Sequence, residues 1–200
     1  MKGLLLKDFY IVRAVAALMG IVFIVIGACM SYIVTPWVLT VIATVMLGMI
    51  VTSTINVDKT SGWIRNVMAM PVSRRTFISS KYILYLILSL TGLVFGTFFG
   101  FIANLLLGGN AEEAGIFICT SLTMTLLAGS IVLPFYFLMD ETKSIIGMIL
   151  AYPATAGIFI LFIMTLGDRP FTYGLIILLG AAAFLLSWCI SVKILSQKDL

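Results

Sequence analysis

The sequence predicts an all-α integral membrane protein with six transmembrane helices, and three observations carry that reading. Of its 200 residues 62% are hydrophobic and 10% charged, with a mean hydropathy of +1.22, whereas soluble domains carry about 25% charged residues. The apolar residues fall into six runs of roughly 20, the length that crosses about 30 Å of hydrocarbon at 1.5 Å per residue. The basic residues gather at alternate breaks between those runs, as they do when one side of a membrane holds the positive charge.

In chain order, Lys2-Gly3-Leu4-Leu5-Leu6-Lys7-Asp8-Phe9-Tyr10-Ile11-Val12-Arg13 sets basic heads beside apolar and aromatic side chains. That pattern suits a short interfacial helix over 2–12, or alternatively the inner end of the first span. The first span covers about 14–34. Inside it Ile26-Gly27-Ala28-Cys29 looks like a lipoprotein cleavage site behind a basic start, but cleavage there would delete the span and leave an odd number of helices. Thr35-Pro36 then predicts a tight turn, because the residue before proline leaves the helical region. The second span covers about 37–56, a polar loop 57–81, and the third span 82–107. The breaks at 108–114, 140–144 and 167–170 bound the remaining spans, about 115–138, 145–166 and 171–193. The whole chain reads as a single transmembrane domain, 1–200.

Placing both termini in the cytoplasm puts Lys2, Lys7, Arg13, Lys59, Arg65, Arg74, Arg75, Lys81, Lys143, Lys193 and Lys198 inside and only Arg169 outside. The positive-inside rule favours that orientation, which leaves the acidic pair Glu112-Glu113 outside. The net charge of +4 is accounted for by orientation, and no nucleic-acid partner is expected.

No ionisable residue lies in the middle of a span, and intramembrane charges are kept mainly for ion or proton coupling. A gradient-driven carrier is disfavoured on that ground. Midspan polarity is hydroxyl and amide, and hydroxyls that bond back to their own helix explain most of it. Gly92, Gly96 and Gly100 form a double GxxxG on one face of the third span, a surface for close helix approach within the subunit or across a dimer seam. Pro134 and Pro153 are expected to kink spans four and five. Cys29, Cys119 and Cys189 lie singly in apolar runs with no metal-ligand spacing, so they read as small filler. With no histidine and no Gly-Lys dipeptide, the chain has no Walker A loop, no catalytic residue, and no cofactor or metal site of its own.

The polar loop has internal structure. Asp58, Thr60 and Ser61 suit a helix N-terminus, and a helix of two to three turns reaches Met70, where Pro71 stops it. Trp63, Val67 and Met70 share its apolar face, with Ile64 beside them. Ser73 then caps a second helix that runs through Arg74, Arg75 and Lys81 into the third span, with these basic residues holding the loop in the cytoplasm. The apolar face suits a lipid interface or a partner's groove.

The stretch "SGWIRNVMAMPVSRRTFISSKYIL" resembles the loop between the second and third helices of small bacterial permeases in the type-2 exporter class of ABC transporters. Asp58, Gly62, Trp63, Pro71, Val72, Ser73, Arg74, Arg75, Lys81 and Tyr82 match that pattern, and "MKGLLLKDFYIVR" looks like the family's N-terminal helix. The resemblance implies that the loop carries a coupling helix docking a separate ATPase through Asp58, Gly62, Trp63, Ile64, Val67 and Met70. It further implies two permease copies and two ATPases, ATP and Mg bound by the ATPases, and a bacterial cell membrane. Export of amphipathic or hydrophobic cargo, such as bacteriocins or cytolytic peptides, follows from the same resemblance. The Gly167-Asp168-Arg169-Pro170 break departs from larger relatives, which carry a long outer segment there. An alternative is a non-transporting membrane immunity or anchoring protein that acts without an ATPase.

Overall fold

Long apolar runs with few internal breakers satisfy every backbone group within one segment, the condition a bilayer imposes, and here they form six helices. The computed structural model describes residues 2–63, 66–67, 73–108, 110–139 and 141–197. Among these, α1 spans Lys2–Ile33, α2 Val38–Thr60, α3 Arg74–Leu107, α4 Ala114–Leu138, α5 Glu141–Leu166 and α6 Pro170–Gln197, with a 3-10 turn at Ala111–Glu113 before α4. Each contains a stretch long and apolar enough to cross a membrane.

One boundary differs from the sequence expectation and another follows it. Residues 2–12 are not a separate interfacial helix. They are the first turns of α1, whose 32 residues measure about 48 Å, well beyond the hydrocarbon thickness. Asp8 and Val12 are buried there, so those turns are held by neighbouring helices. α3 starts at Arg74, earlier than the apolar run, because Ser73 caps it as expected: its hydroxyl accepts from the Thr76 N–H at 3.1 Å.

α2 is central, touching α1, α3 and α4, while α5 and α6 both pack on α4. The tightest seam joins α2 and α3, where the three glycines act. A Cβ at Gly92 would lie 2.6 Å from the Ala43 carbonyl oxygen, and one at Gly96 2.7 Å from both the Leu39 carbonyl oxygen and Thr40 Cα. At Gly100 the nearest atom would be the Pro36 oxygen at 3.3 Å. The GxxxG face is therefore spent within the subunit, and the dimer-seam reading is not needed to explain it. Pro134 and Pro153 sit inside α4 and α5.

The main core fills the half of the bundle nearest the 57–73 loop: Ile55 of α2, Phe77 and Tyr85 of α3, Leu133 and Tyr136 of α4 and Phe184 of α6 are all buried in it. A smaller cluster of Phe159, Tyr173 and Ile176 lies toward the other end. Most midspan hydroxyls bond back to their own helix, among them Thr44 to Thr40 O, Thr91 to Ile87 O and Thr125 to Ser121 O. Structural satisfaction therefore accounts for them.

Candidate functional site

Beneath the loop, α1, α2 and α3 bring four charges together. Lys81 Nζ donates to both Asp8 carboxylate oxygens at 2.8 Å and to Thr54 Oγ1 at 3.2 Å, and lies 2.6 Å from Asp58 Oδ2. Lys7 Nζ pairs with Asp58 Oδ1 and lies 3.3 Å from Asp8 Oδ1. Each lysine touches both aspartates, so the four charges alternate around a closed ring with no net charge. Asp8, Asp58 and Lys81 are all enclosed at 1% exposure, whereas the Lys7 side chain keeps 26%. An uncompensated charge in such a place costs several kcal/mol, and ring closure is what makes this burial tolerable.

The sequence positions explain why the ring forms. Asp8 lies in the second turn of α1, Asp58 in the last turn of α2 and Lys81 in the second turn of α3, so all three reach the same level of the bundle. Thr54 lies one turn below Asp58 and donates its own proton to Val51 O at 2.8 Å, leaving its oxygen lone pair for Lys81.

The ring is joined to the loop by Lys7, whose ammonium stands 4.9 Å over the Trp63 ring, within cation–π range. The chain reaches Trp63 through a sharp reversal. Ser61 N donates to Val57 O at 3.0 Å and Gly62 N to Lys59 O at 3.2 Å, with Gly62 at φ +67°. Glycine is suited to that left-handed position after a helix end, which accounts for the Gly-Trp pair. Asn66 N then donates to Gly62 O at 3.4 Å, beginning a new turn.

Several expectations about this loop need correction. Asp58 belongs to the C-terminal end of α2, not to a following helix N-terminus, and Thr60 and Ser61 are not N-caps. Their hydroxyls donate backwards to the Asn56 and Val57 carbonyls. Asp58 is enclosed in the ring and Val67 is 1% exposed in the main core. Trp63 is half-buried and packs against the same core. Trp63 and Val67 thus turn into the subunit, and among the described residues Thr60, Ser61, Gly62, Asn66 and Ser73 are exposed. Ile64, Met70 and Pro71 lie outside the described residues. Lys81 is no surface collar but is as fully enclosed in the ring as Asp8. Arg75 is exposed, with its guanidinium 4.9 Å over the Trp188 ring of α6, and Arg74 opens α3.

Sequence reasoning missed Lys7, Asp8 and Thr54. The available signal was that two acids and two bases fall just beyond the ends of three consecutive spans, all on one side. At that depth a balanced set of charges is better explained by mutual pairing than by solvation.

Among the described residues, no group of three or more His, Cys, Asp or Glu is placed to hold a metal. The three cysteines are free. No curated protein and no solved structure matches the chain. A family model described as ABC-2 family transporter protein matches residues 3–196. With six membrane-length apolar helices in one all-helical bundle and a match over nearly its whole length, the chain belongs to the ABC-2 transporter family as a multi-pass membrane permease.

Proposed function

We propose that this permease is the membrane half of an ATP-driven exporter whose hydrolysis is carried out by a separate ATPase subunit that binds ATP and Mg. In this reading the 57–73 loop faces the cytoplasm and docks the ATPase. Two permease copies and two ATPases form the working unit. The cargo is amphipathic or hydrophobic peptide, a class suited to spans whose midsections carry hydroxyls but no charge.

The observation that carries the reading is the link from loop to helices. Trp63 lies under Lys7, Lys7 belongs to the ring, and the ring holds the loop ends of α1, α2 and α3 together. A push on Trp63 is delivered to three helices at once, because a buried ion ring resists being pulled apart. The exposed rim of Ser61, Gly62 and Asn66 offers the contact, while Trp63 and Val67 transmit it inward.

The test is reconstitution of the permease with its cognate ATPase in proteoliposomes, with hydrolysis measured as an amphipathic helical peptide is added. Stimulation by the peptide that is lost in Asn66→Arg supports the proposal. Stimulation only by a sugar-linked lipid or a small cation, or failure of any ATPase to co-purify, overturns it.

A further inference from the structure

A groove of about 320 Å³ runs down the outside of the bundle between α4 and α5, where Ile131, Phe135 and Met139 face Ile146, Leu150 and Ala154. It forms because α5 presents small residues to α4. At Gly147 a Cβ would come within 2.8 Å of the Phe135 ring, and Ala151 and Ala154 follow on the same stripe. Ile146 and Leu150 are more than half exposed, so the groove opens outward, onto the surroundings of the spans. In a bilayer those surroundings are hydrocarbon, and an apolar groove that holds no water is filled by an acyl chain. From Lys143 at its mouth to Ala154 at its far end, the rise along α5 is about 16 Å. That is roughly half of the hydrocarbon layer, the depth of one leaflet.

The mouth is basic. Lys143 is exposed and opens the membrane-length stretch Lys143–Leu166. Lys59, at the end of α2, donates through Nζ to Met139 O at 2.6 Å, which brings a second ammonium to the residue that closes α4. Ser144 Oγ also donates to Met139 O, at 3.2 Å, so the negative end of α4 is covered by two donors, while the positive end of the α5 dipole lies at the same mouth. The groove between α1, α2 and α3 is different: it is lined by Gly20, Phe23, Leu47 and Phe95 among others, with no charged residue in its lining.

We propose that the α4–α5 groove binds an anionic phospholipid from the leaflet on the side of the 57–73 loop. One acyl chain lies between the two helices, and the acidic headgroup is held at Lys143 and Lys59. The apolar lining and the one-leaflet depth select the chain. The charge of the mouth selects the headgroup, because a lysine near an anionic surface strengthens binding about fivefold, whereas a zwitterionic lipid presents no net charge to it. The inference needs neither an ATPase nor transport, so its failure and that of the proposed function are separable.

The full chain in detergent is titrated separately with dioleoyl phosphatidylglycerol and dioleoyl phosphatidylcholine, and bound lipid is counted by native mass spectrometry. The expected result is about a tenfold preference for the glycerol lipid. Lys143→Gln lowers that preference about fivefold and Lys143→Arg keeps it. Ala154→Trp fills the far end of the groove from an exposed position and brings binding of the two lipids level, whereas Gly20→Leu fills the uncharged groove and leaves the preference in place. Equal binding to the unaltered chain overturns the proposal, as does a preference that survives Lys143→Gln or Ala154→Trp, or one that falls as far in Gly20→Leu. A preference for the choline lipid would put Asp140 and Glu141, which precede Lys143 in the chain, in control of the mouth, and overturns it too. The same spectra report oligomeric state, and a dimer lost in Ala154→Trp with lipid binding unchanged would assign the groove to a second copy and refute the lipid site.

Discussion

Replacing Lys81 by Met tests whether the ion ring is a structural unit. Lys81 Nζ lies 2.8 Å from both Asp8 oxygens and 2.6 Å from Asp58 Oδ2. At an effective dielectric of about 20, a unit-charge pair at ~2.7 Å is worth about 6 kcal/mol in gross Coulomb energy. Most of that gross energy is offset by the desolvation of burying the charges, and breaking one partner of a buried pair costs about 3–5 kcal/mol net. Methionine fills the space but leaves two enclosed carboxylates facing Lys7 alone, a net charge of −1. Against a total stability of about 5–15 kcal/mol, the loss is about a fifth or more, and it lowers Tm by roughly 6–20 °C for a chain of this length. The assay is thermal unfolding of the full chain in detergent. Adding Asp8→Asn to Lys81→Met restores neutrality, leaving Asp58 with Lys7, and recovers about 2 kcal/mol relative to the sum of the single changes. Lys7→Met costs less than Lys81→Met, because the Lys7 side chain is 26% exposed and water screens it. If Lys81→Met shifts Tm by less than about 3 °C, or if the double change is additive, the ring is not what holds these helix ends together.

Further expectations rest on other contacts. Gly96→Val drives a Cβ to within 2.7 Å of the α2 backbone and lowers stability by about 1–3 kcal/mol, whereas Gly157→Ala, with nothing within 4 Å, leaves Tm unchanged or slightly raised. Val67→Ala hollows the core and lowers Tm by an amount matching about 1–2 kcal/mol. Asn66→Arg leaves Tm in place while reducing co-purification of the ATPase about tenfold, so equal Tm losses in the two variants would refute the division between inward and outward faces. Ser73→Ala removes the α3 cap and costs about 1 kcal/mol, and Trp37→Phe removes the bond to Asn110 O at a similar cost; both are read from thermal unfolding.

The six helices were legible because their signal is additive. Twenty apolar residues in a row give the same answer however the helices are arranged, and only the fraying ends, such as the join of residues 2–12 to the first span, needed the structure. The Ser73 cap was likewise readable, since a cap is a contact between residues three apart in the chain. The loop was harder. Trp63 and Val67 do share an apolar face, but periodicity states only that a face is apolar, not whether it meets a partner, lipid or the subunit's own core. Phe77, Ile55 and Tyr136 decide that, and they come from three other helices.

The sequence by itself determined the class of molecule and the six membrane-length helices found among the described residues, because each of these depends on composition or on neighbours along the chain. Tertiary structure alone decided what the charges and glycines do. Lys7, Asp8, Asp58 and Lys81 are dispersed across the first 81 residues, and their meaning changes from topology signal to buried ring only when three helix ends reach one level. Gly92, Gly96 and Gly100 likewise become an internal seam only once α2 lies against them. The physical reason is the same in both cases. Electrostatic and packing energies fall off within a few ångströms, so they are functions of distance in space, which the order of residues along the chain does not specify.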